Sequence, residues 1–404
     1  MSRGSPETRR RERVLKRAGN NYSPETLQLR RQWLEETCRT SIPHIANHRL
    51  NGDQLRGNIE NLIGAAQVPI GIAGPLKIHG QHAQGTFFVP LATTEGALVE
   101  SYTRGMLTLS LSGGAHVRIL KDVMHITPAF LFASFVEGAE FCRWAESRYP
   151  DIRAQAESTT RHGRLLRLES QLLGRYALLK FIYDCQDAMG LNMINISTDA
   201  ACRWIREEYT RVGHATPEYY LRSNFSADKK ASLSNFVNGY GKEALVECRI
   251  PRKVVTRVLH TSPQDVSAFS RVCALAGMKS GIHGAHAHLA NGLAALYIAC
   301  GQDVAQIVNS AAGILELDVT KDGDLHATLH LPNLVLGTIG GGTGLPTQRE
   351  CLGIMDCHGA NRALKFAEIV AATLLAGEIS ICAALTNGDF VRAHARQRQL
   401  TKIS

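Results

Sequence analysis

The sequence predicts an α/β (α+β) protein built from a large domain and a smaller inserted domain. With 404 residues, 44% of them hydrophobic, the chain can form two or three domains around a proper core. Glycine is abundant, at 36 residues, whereas aromatic residues make up only 6%. This balance suits a compact enzyme with close backbone approaches better than an aromatic-rich binding surface.

Helix and strand patterns alternate along the large domain, and no repeats or low-complexity tracts interrupt them. A serine cap followed by proline begins the first predicted helix, at "SPETLQLRRQWLEETC". The other predicted elements are a β-like stretch at 68–93, a helix at 95–110, a strand at 244–251, a helical run at 286–308 and a β-hairpin within 323–337.

The pattern of predicted secondary structure changes between about residues 117 and 185, where a strand, a helix and two further strands precede the helix "STDAACRWIREEY". This βαββα order predicts a small domain inserted into the larger one. We therefore divide the chain into an N-terminal basic tail and helical segment (1–56), a large domain (57–127 and 221–404) and an inserted domain (128–220).

The net charge of +9 is concentrated at the two ends of the chain. No nucleic-acid-binding motif accompanies these ends, so we expect a solvated tail and no nucleic-acid partner. The ten cysteines include no CxxC pair, which indicates reduced core thiols in a cytoplasmic protein. The longest apolar run is interrupted by Glu368 and Glu378, so we expect no membrane span.

Two glycine-rich segments are candidates for ligand contact. "DAMGLNMIN" (187–195) follows a β-like run and precedes a helix, and "GTIGGGTG" (337–344) exposes successive backbone N–H groups. Neither matches the GxGxxG pattern of a Rossmann fold. Each signal is weak alone, because a glycine cluster is often only a turn.

Charged residues supply the second set of candidates. "NFSADKKASLSNF" (224–236) places Lys229 and Lys230 behind Asp228, Glu95 stands at a predicted helix start, and Asp303 follows a glycine at a helix break. A carboxylate at such a break is costly unless it is paired. If Glu95, Lys229 and Asp303 converge, they provide a proton donor and an oxyanion stabiliser for carbonyl reduction.

Histidines suggest two further possibilities. His283, His286 and His288 in "GIHGAHAHLAN" look like metal ligands, but on a helix His288 points away from the other two and no acidic or thiol partner completes a site. We therefore predict no metal. His394, after the last apolar helix, is a candidate acid.

Taken together, these motifs resemble the 3-hydroxy-3-methylglutaryl-CoA (HMG-CoA) reductase family, in its class I soluble form. The resemblance extends from about residue 57 to residue 396 and rests on "ATTEG", "DAMGLNM", "DKK", "YIACGQDVAQ", "GTIGGGTGLPTQ" and the late histidine in one order. It implies a large substrate domain, an inserted ferredoxin-like domain that binds NADPH, and a homodimer or higher homo-oligomer with active sites between subunits. It also implies reduction of HMG-CoA to mevalonate.

The resemblance assigns roles to individual residues. Glu95 is similar to the family's proton donor, Lys229 to its oxyanion-stabilising lysine, Asp303 to the aspartate that tunes both, and His394 to the acid that protonates the departing thiolate. The positions that match cofactor contacts are Thr160, Arg161, Asp187, Met189, Gly190, Asn192, Gly340 and Gly341, with Arg161 favouring NADPH over NADH. The positions expected to contact the acyl-CoA substrate are Arg104, Arg222, Asn224, Asp228, Lys230, Arg271 and Asn291.

The expected acyl-binding region departs from the family pattern. His125-Ile126 replaces a Thr-Arg pair whose arginine grips the free carboxylate, and isoleucine carries no charge. Other departures are Arg222-Ser223 for Ser-Gly, Arg271 for lysine, His286 for asparagine, and Ala231-Ser232 for Pro-Ser/Ala. Three alternatives remain open: Arg222 and Arg271 restore the grip, the enzyme reduces a different thioester, or the fold persists as a binding protein without turnover.

Overall fold

The computed structural model describes residues 21–392 and residue 395. The predicted basic tail and His394 therefore lie outside the described residues. The helices are α1 (Pro24–Cys38), α2 (Pro43–Ala46), α3 (Leu98–Leu111), α4 (Phe135–Ser147), α5 (Tyr149–Glu157), α6 (Leu191–Arg211), α7 (Leu233–Asn238), α8 (Arg252–Leu259), α9 (Pro263–Ser280), α10 (Leu289–Ala299), α11 (Ile307–Ser310), α12 (Pro346–Ile354) and α13 (Ala363–Asn387).

The strands are β1 (Ile70–His79), β2 (Gln84–Ala92), β3 (Ala115–Ile126), β4 (Ala129–Leu131), β5 (Arg164–Leu173), β6 (Tyr176–Asp184), β7 (Glu218–Tyr220), β8 (Gly241–Ile250), β9 (Gly284–Ala285), β10 (Gly313–Val319) and β11 (Leu325–Leu334). Short 3-10 turns occur at Gly52–Leu55, Val304–Gln306 and Gly341–Gly344. The fold is mixed α/β, as predicted.

The first helix begins where its sequence signal places it. The Ser23 hydroxyl accepts a hydrogen bond from the Thr26 backbone N–H at 3.3 Å, and Pro24 occupies the first turn, where its missing N–H has no helical partner to lose. The structure therefore confirms the prediction for 23–38.

One part of the sheet has the strand order β2-β1-β3-β8-β11-β10-β9. Most neighbours are antiparallel, whereas β1–β3 and β9–β10 are parallel. Alternate residues of β8 and β11 are buried against a core that also contains α3, α10 and α13. This core joins residues from both flanks of the predicted insertion.

A second hydrophobic cluster lies under a smaller antiparallel sheet of order β5-β6-β4-β7. Its strands and helices follow one another as β4-α4-α5-β5-β6-α6-β7. Aromatic rings fill the space between sheet and helices, with Phe130 and Phe141 packed at 4.8 Å and Phe141 edge-on to Tyr209 at 5.1 Å. Compared with the predicted βαββα order, the structure has a second helix after the first strand, α5, and a final strand, β7.

Strand β3 belongs to both sheets. Its residues 116–123 pair with β8, and its last three residues, 124–126, pair with β6. The backbone ladder therefore passes from one sheet into the other near the boundary predicted after residue 127.

Helix α13 is the central helix of the larger core. It is long and apolar enough to cross a membrane by length and composition, but 83% of its apolar window is buried inside the protein. Its two glutamates are fully buried and accept backbone hydrogen bonds: Glu368 binds the N–H groups of Gln81, His82 and Ala83 at 2.6–2.9 Å. These bonds tie the β1–β2 turn to α13 and offset the cost of burying a carboxylate.

Two element predictions were wrong. The hairpin expected within 323–337 is a single strand, β11, and its hairpin partner is β10, because Pro332 lies at an irregularity in the β8–β11 register and not at a turn. The helical run expected at 286–308 is shortened to α10, since Gly301 adopts a positive φ of 67° and redirects the chain. All ten cysteines are free, and eight of them are buried, as expected for core thiols.

Candidate active site

A cleft of about 1020 Å³ lies between the two hydrophobic clusters and contains most of the predicted site. Its walls bring together distant segments around 188–195, 222–230, 301–304 and 337–343. The predicted site residues that line it are Met189, Gly190, Asn192, Arg222, Asn224, Asp228, Lys229, Lys230, Asp303, Gly340 and Gly341.

The two glycine-rich segments form one continuous wall of the cleft. Ala188 and Ile339 make a parallel β-bridge, and the Asp187 carbonyl accepts a hydrogen bond from the Thr338 N–H at 2.8 Å. Gly190 caps helix α6, whose N-terminal N–H groups begin at this wall. The family resemblance assigned both segments to one cofactor site, whereas their local patterns do not show this contact, because 141 residues lie between them.

This wall fits a dinucleotide. Gly340 and Gly341 have positive φ angles of 83° and 54°, and a Cβ added at either would meet no atom within 4 Å. The backbone there is therefore open to a bound group, and the N-terminus of α6 favours a negative charge such as a pyrophosphate. The residues present are consistent with a nicotinamide dinucleotide.

The Asp187 carboxylate holds the backbone of this wall in place. Its carboxylate accepts hydrogen bonds from the N–H groups of Asn361, Arg362 and Ala363 at 2.7–3.0 Å, at the start of α13. These contacts hold the "DAMG" segment against the central helix. Asp187 does not line the cleft, so its direct contact with a cofactor stays a prediction.

The loop 222–230 is held in a strained conformation. Asn224, Ala227 and Lys229 all adopt left-handed backbone angles, with φ between 48° and 66°, at a cost of roughly 1–2 kcal/mol each. The Asn309 side chain fixes this shape by donating to the carbonyls of Ala227 and Lys230 at 3.1 and 3.2 Å. The surrounding structure therefore imposes the geometry of the loop.

Lys229 and Asp303 meet in the cleft. The lysine Nζ lies 2.7 Å from Asp303 Oδ2, while Asp303 Oδ1 accepts the Ala305 N–H at 3.1 Å and begins the turn Val304–Gln306. One carboxylate oxygen is thus fixed to the backbone and the other orients the ammonium. The convergence predicted for these two residues is observed.

Asp228 is a hydrogen-bonding hub beneath the loop. It accepts from Tyr240 Oη at 3.0 Å, from Gln306 Nε2 at 2.7 Å and from Arg222 Nη1 at 2.9 Å. Arg222 also donates through Nε to Asn195 on α6 at 3.0 Å. Its guanidinium plane is therefore fixed at two points while it lines the cleft.

Glu95 lies at a different cavity, of about 380 Å³, together with Arg104. Both of its carboxylate oxygens accept from Asn291 Nδ2, at 3.0 and 2.8 Å. It stands three residues before the first residue of α3, not within that helix. Within the described part of one chain, Glu95 and the Lys229–Asp303 pair therefore line separate cavities.

The remaining predicted substrate and cofactor residues lie outside the cleft. Arg104 donates to the Ser380 hydroxyl and carbonyl at 3.1 and 2.9 Å. Thr160 and Arg161 lie in the loop before β5, where Thr160 Oγ1 accepts from the Gly163 N–H at 3.1 Å. Arg271 is exposed on α9.

The departures at positions 125 and 126 are buried beneath the site. Ile126 is inaccessible in the small core. His125 packs edge-on to Tyr240 at 4.9 Å. Burial lowers the pKa of His125 to about 3, helped by the charge of Lys180, so the ring is neutral near pH 7.

Two glutamines in "CGQDVAQ" were missed. The Gln302 amide donates to the Gly337 carbonyl and accepts the Gly337 N–H, at 3.0 and 2.9 Å, whereas Gln306 reaches Asp228. Asn58 also reaches the Gly341 carbonyl at 3.0 Å. Both glutamines lie close to Asp303 in the sequence, and this proximity to a predicted site residue is the signal that could have identified them.

Comparisons with known proteins agree with this geometry. The sequence model of the family "Hydroxymethylglutaryl-coenzyme A reductase" matches residues 26–399. The 3-hydroxy-3-methylglutaryl-coenzyme A reductase of Methanocaldococcus jannaschii is 41% identical over 370 residues, which cover 91% of each chain. The same enzyme of Aeropyrum pernix is 41% identical over 389 residues, covering 95% of this chain and 91% of its own. These relatives place the protein among the oxidoreductases.

The fold has counterparts among solved structures. The class II 3-hydroxy-3-methylglutaryl-CoA reductase of Streptococcus pneumoniae, bound to NADPH, superposes with a TM-score of 0.67 at 17% identity, covering 95% of this chain and 98% of the other. This likeness shows the shared fold. The chain belongs to the HMG-CoA reductase family, which confirms the family and the enzyme class predicted from the motifs.

Proposed function

We propose that this protein reduces HMG-CoA to mevalonate and free CoA, with NADPH as the hydride donor. The observation that carries the proposal is the Lys229–Asp303 ion pair, in a cleft that the two glycine-rich segments also line. Carbonyl reduction needs a positive charge beside the bound hydride donor, because negative charge develops on the carbonyl oxygen as the hydride is transferred.

Lys229 stabilises the negative charge that develops on the carbonyl oxygen. Bound NADPH supplies a hydride in each of the two reduction steps. Asp303 orients the Lys229 ammonium by its 2.7 Å contact, so little reorganisation is needed as the charge develops. His394 protonates the departing CoA thiolate, and Glu95 donates a proton to the carbonyl oxygen.

The proposed acid and the proposed oxyanion stabiliser line separate cavities in one chain, which favours a homodimer. In such a dimer Glu95, with Asn291, would face the Lys229–Asp303 cleft of the other subunit. We propose this arrangement because both groups lie on accessible cavities, where a second copy can reach them.

Recognition of NADPH follows from the cleft wall. Met189, Gly190 and Asn192 precede or begin α6, and Gly340 and Gly341 lie beside them in the same wall. We place the adenosine 2′-phosphate against Thr160 and Arg161, in the exposed loop before β5, because an exposed guanidinium binds phosphate well. Asp187 acts as a positioning residue for this wall.

Arg222 is the best placed group for the free carboxylate of the HMG moiety, with Lys230, Asn224 and Asp228 beside it. Two of its five N–H donors are used by Asn195 and Asp228, which fixes the guanidinium and leaves three donors for a ligand. Arg271 is exposed on α9, so its contribution would come through the partner subunit.

The inserted unit is proposed to be the NADPH domain. Residues 128–220 contribute β4–β7 in the order β5-β6-β4-β7, and the split βαβ connectivity is that of ferredoxin-like domains. Residues 57–127 and 221–404 then form the substrate domain. We also propose that the enzyme is cytoplasmic, with no membrane or nucleic-acid partner, and Arg104 contacts CoA.

The test is NADPH oxidation by the purified protein with HMG-CoA, run beside NADH and several other acyl-CoA thioesters. Turnover of HMG-CoA with NADPH is the expected result. Turnover of another thioester alone would favour a changed substrate, an alternative raised by the buried Ile126 in place of an arginine. NADPH binding without any turnover would indicate a binding protein.

A further inference from the structure

His288 and Glu378 form a buried carboxylate–imidazole pair that the proposed reaction does not yet use. Glu378 lies in the middle of α13 with its side chain only 1% exposed, and its Oε1 lies 3.1 Å from His288 Nδ1. The N–H groups of Ala287 and His288 also donate to this carboxylate, at 2.6 and 2.8 Å. Three donors thus hold one buried anion.

The pair fixes the tautomer of His288. Burial raises the pKa of Glu378, but hydrogen bonding and charge from His288 and the two backbone N–H groups outweigh it, so the pKa is lowered overall. An ionised carboxylate only accepts hydrogen bonds, so Nδ1 of a neutral His288 carries the proton. Its Nε2 is then the free, proton-accepting nitrogen.

His288 lies at the same cavity as Glu95. Both residues line the 380 Å³ cavity, together with Arg104 and Asp389. His288 immediately precedes α10, and Asn291, which holds both oxygens of Glu95, lies in the first turn of that helix. The His288 side chain is 17% exposed, so one edge of the ring remains reachable by solvent.

A neighbouring aromatic ring holds the His288 imidazole in place. Tyr102 stacks on His288 at 5.7 Å and is fully buried. His286, whose pKa is lowered by burial, does not line this cavity. Glu95, Glu100 and Asp389 are the acids at the cavity.

The proposed reaction requires a supply of protons at the cavity that contains Glu95. Reduction of one thioester to an alcohol and a thiol consumes two hydrides and two protons. Glu95 loses its proton when it protonates a carbonyl oxygen, and it must regain one before the next turnover. We propose that His288, oriented by Glu378, transfers a proton from solvent to Glu95, through Nε2, once in each catalytic cycle.

The transfer balances without any further reactant. His288 accepts a proton at Nε2 from a hydronium ion of the solvent, which leaves water, and becomes an imidazolium that the Glu378 carboxylate stabilises. It then gives that proton to the Glu95 carboxylate and returns to the neutral tautomer. This inference rests on the proposed function, because it assigns the source of Glu95's proton.

The test compares His288→Asn with the matched control His330→Asn. Asparagine retains an amide N–H for Glu378 but carries no exchangeable nitrogen at the Nε2 position, whereas His330 pairs with Glu243 at 2.9 Å and lines neither cavity. We expect His288→Asn to lower kcat about 100-fold, with KM for HMG-CoA and NADPH within about twofold of wild type. Added imidazole should restore part of kcat, and His330→Asn should match wild type.

Four outcomes are informative. An unchanged kcat in His288→Asn, or a loss that imidazole leaves unrestored while KM rises, would overturn the inference. If His288→Asn does not fold, Glu378→Gln gives the second test, because it removes the negative charge that stabilises the His288 imidazolium and should lower kcat with the same imidazole response. An inactive wild-type protein would instead contradict the proposed function itself.

Discussion

At the scale of single residues, the site depends on carboxylates that each hold two or three partners. Asp303 binds both a backbone N–H and the Lys229 ammonium, and Asp228 binds Tyr240, Gln306 and Arg222. A carboxylate shared in this way places a cation and fixes a loop at the same time. The two effects can be separated by substitution.

Asp303→Asn is expected to lower kcat by about 100- to 1000-fold with little loss of stability. Asparagine can still accept the Ala305 N–H at the start of the turn, but it loses the ion pair that orients Lys229. Steady-state kinetics and thermal unfolding measure the two effects. Asp322→Asn, which removes a surface carboxylate from Arg249, is the control and should change neither.

Arg222→Ala is expected to raise KM for HMG-CoA by about 10- to 100-fold, because one charge-assisted hydrogen-bonding group is removed from the cleft. A thioester with an uncharged acyl group should show no such increase. Arg222→Lys retains the charge without the planar fork and should give an intermediate KM. An equal increase for both thioesters would assign Arg222 to loop stability alone.

At the scale of elements, the network beneath the loop links stability to pH. His125 is buried against Tyr240, and its folded-state pKa of about 3 lies well below the ordinary value near 6.5. Between these values the unfolded chain binds a proton that the folded chain does not. Stability therefore falls as pH falls through this window.

His125→Phe tests this link. The variant keeps an aromatic ring beside Tyr240 but removes the titration, so wild type should lose up to about 1.4 kcal/mol per pH unit relative to the variant between about pH 6 and 4. Urea unfolding at pH 7.5, 6 and 5, at one protein concentration, measures the difference. If the unfolding free energies of both proteins changed with pH in the same way, His125 would bind a proton equally well in the folded and unfolded states, contrary to this prediction.

Elements with local signals were predictable from the sequence, and those defined by distant partners were not. Ser23 and Pro24 mark the start of α1, whereas nothing near Pro332 shows that β11 pairs with β8 and β10. The same holds in the site. Lys229 and Asp303 were predicted from chemistry, but the glutamines beside Asp303 were missed because their partners, the Gly337 backbone and the Asp228 side chain, lie far along the chain.

At the scale of the whole molecule, the separation of Glu95 from Lys229 makes a dimer testable by mixing. Glu95→Gln and Lys229→Ala should each be inactive alone. If a site takes Glu95 from one subunit and Lys229 from the other, random re-association of the two variants should restore about 25% of wild-type activity, since half the dimers carry one intact site.

The control for this experiment is a mixture of Lys229→Ala with Asp303→Asn, whose residues meet within one chain. Since the intact lysine and aspartate then never occupy one cleft, this mixture should gain nothing over its components. No recovery in the first mixture would place both halves of the site in a single chain, whereas recovery in the control mixture would show that regained activity does not report a site shared between subunits.

The shared strand β3 limits how far the two parts of this protein are interchangeable. A graft that replaced residues 128–220, the proposed NADPH domain, would leave residues 124–126 behind, and with them the backbone partner of Phe181, Ile182 and Tyr183. The incoming sheet would have an open edge unless its sequence complemented a foreign strand. Cofactor engineering by exchange should therefore begin upstream, within β3, where the ladder with β8 ends.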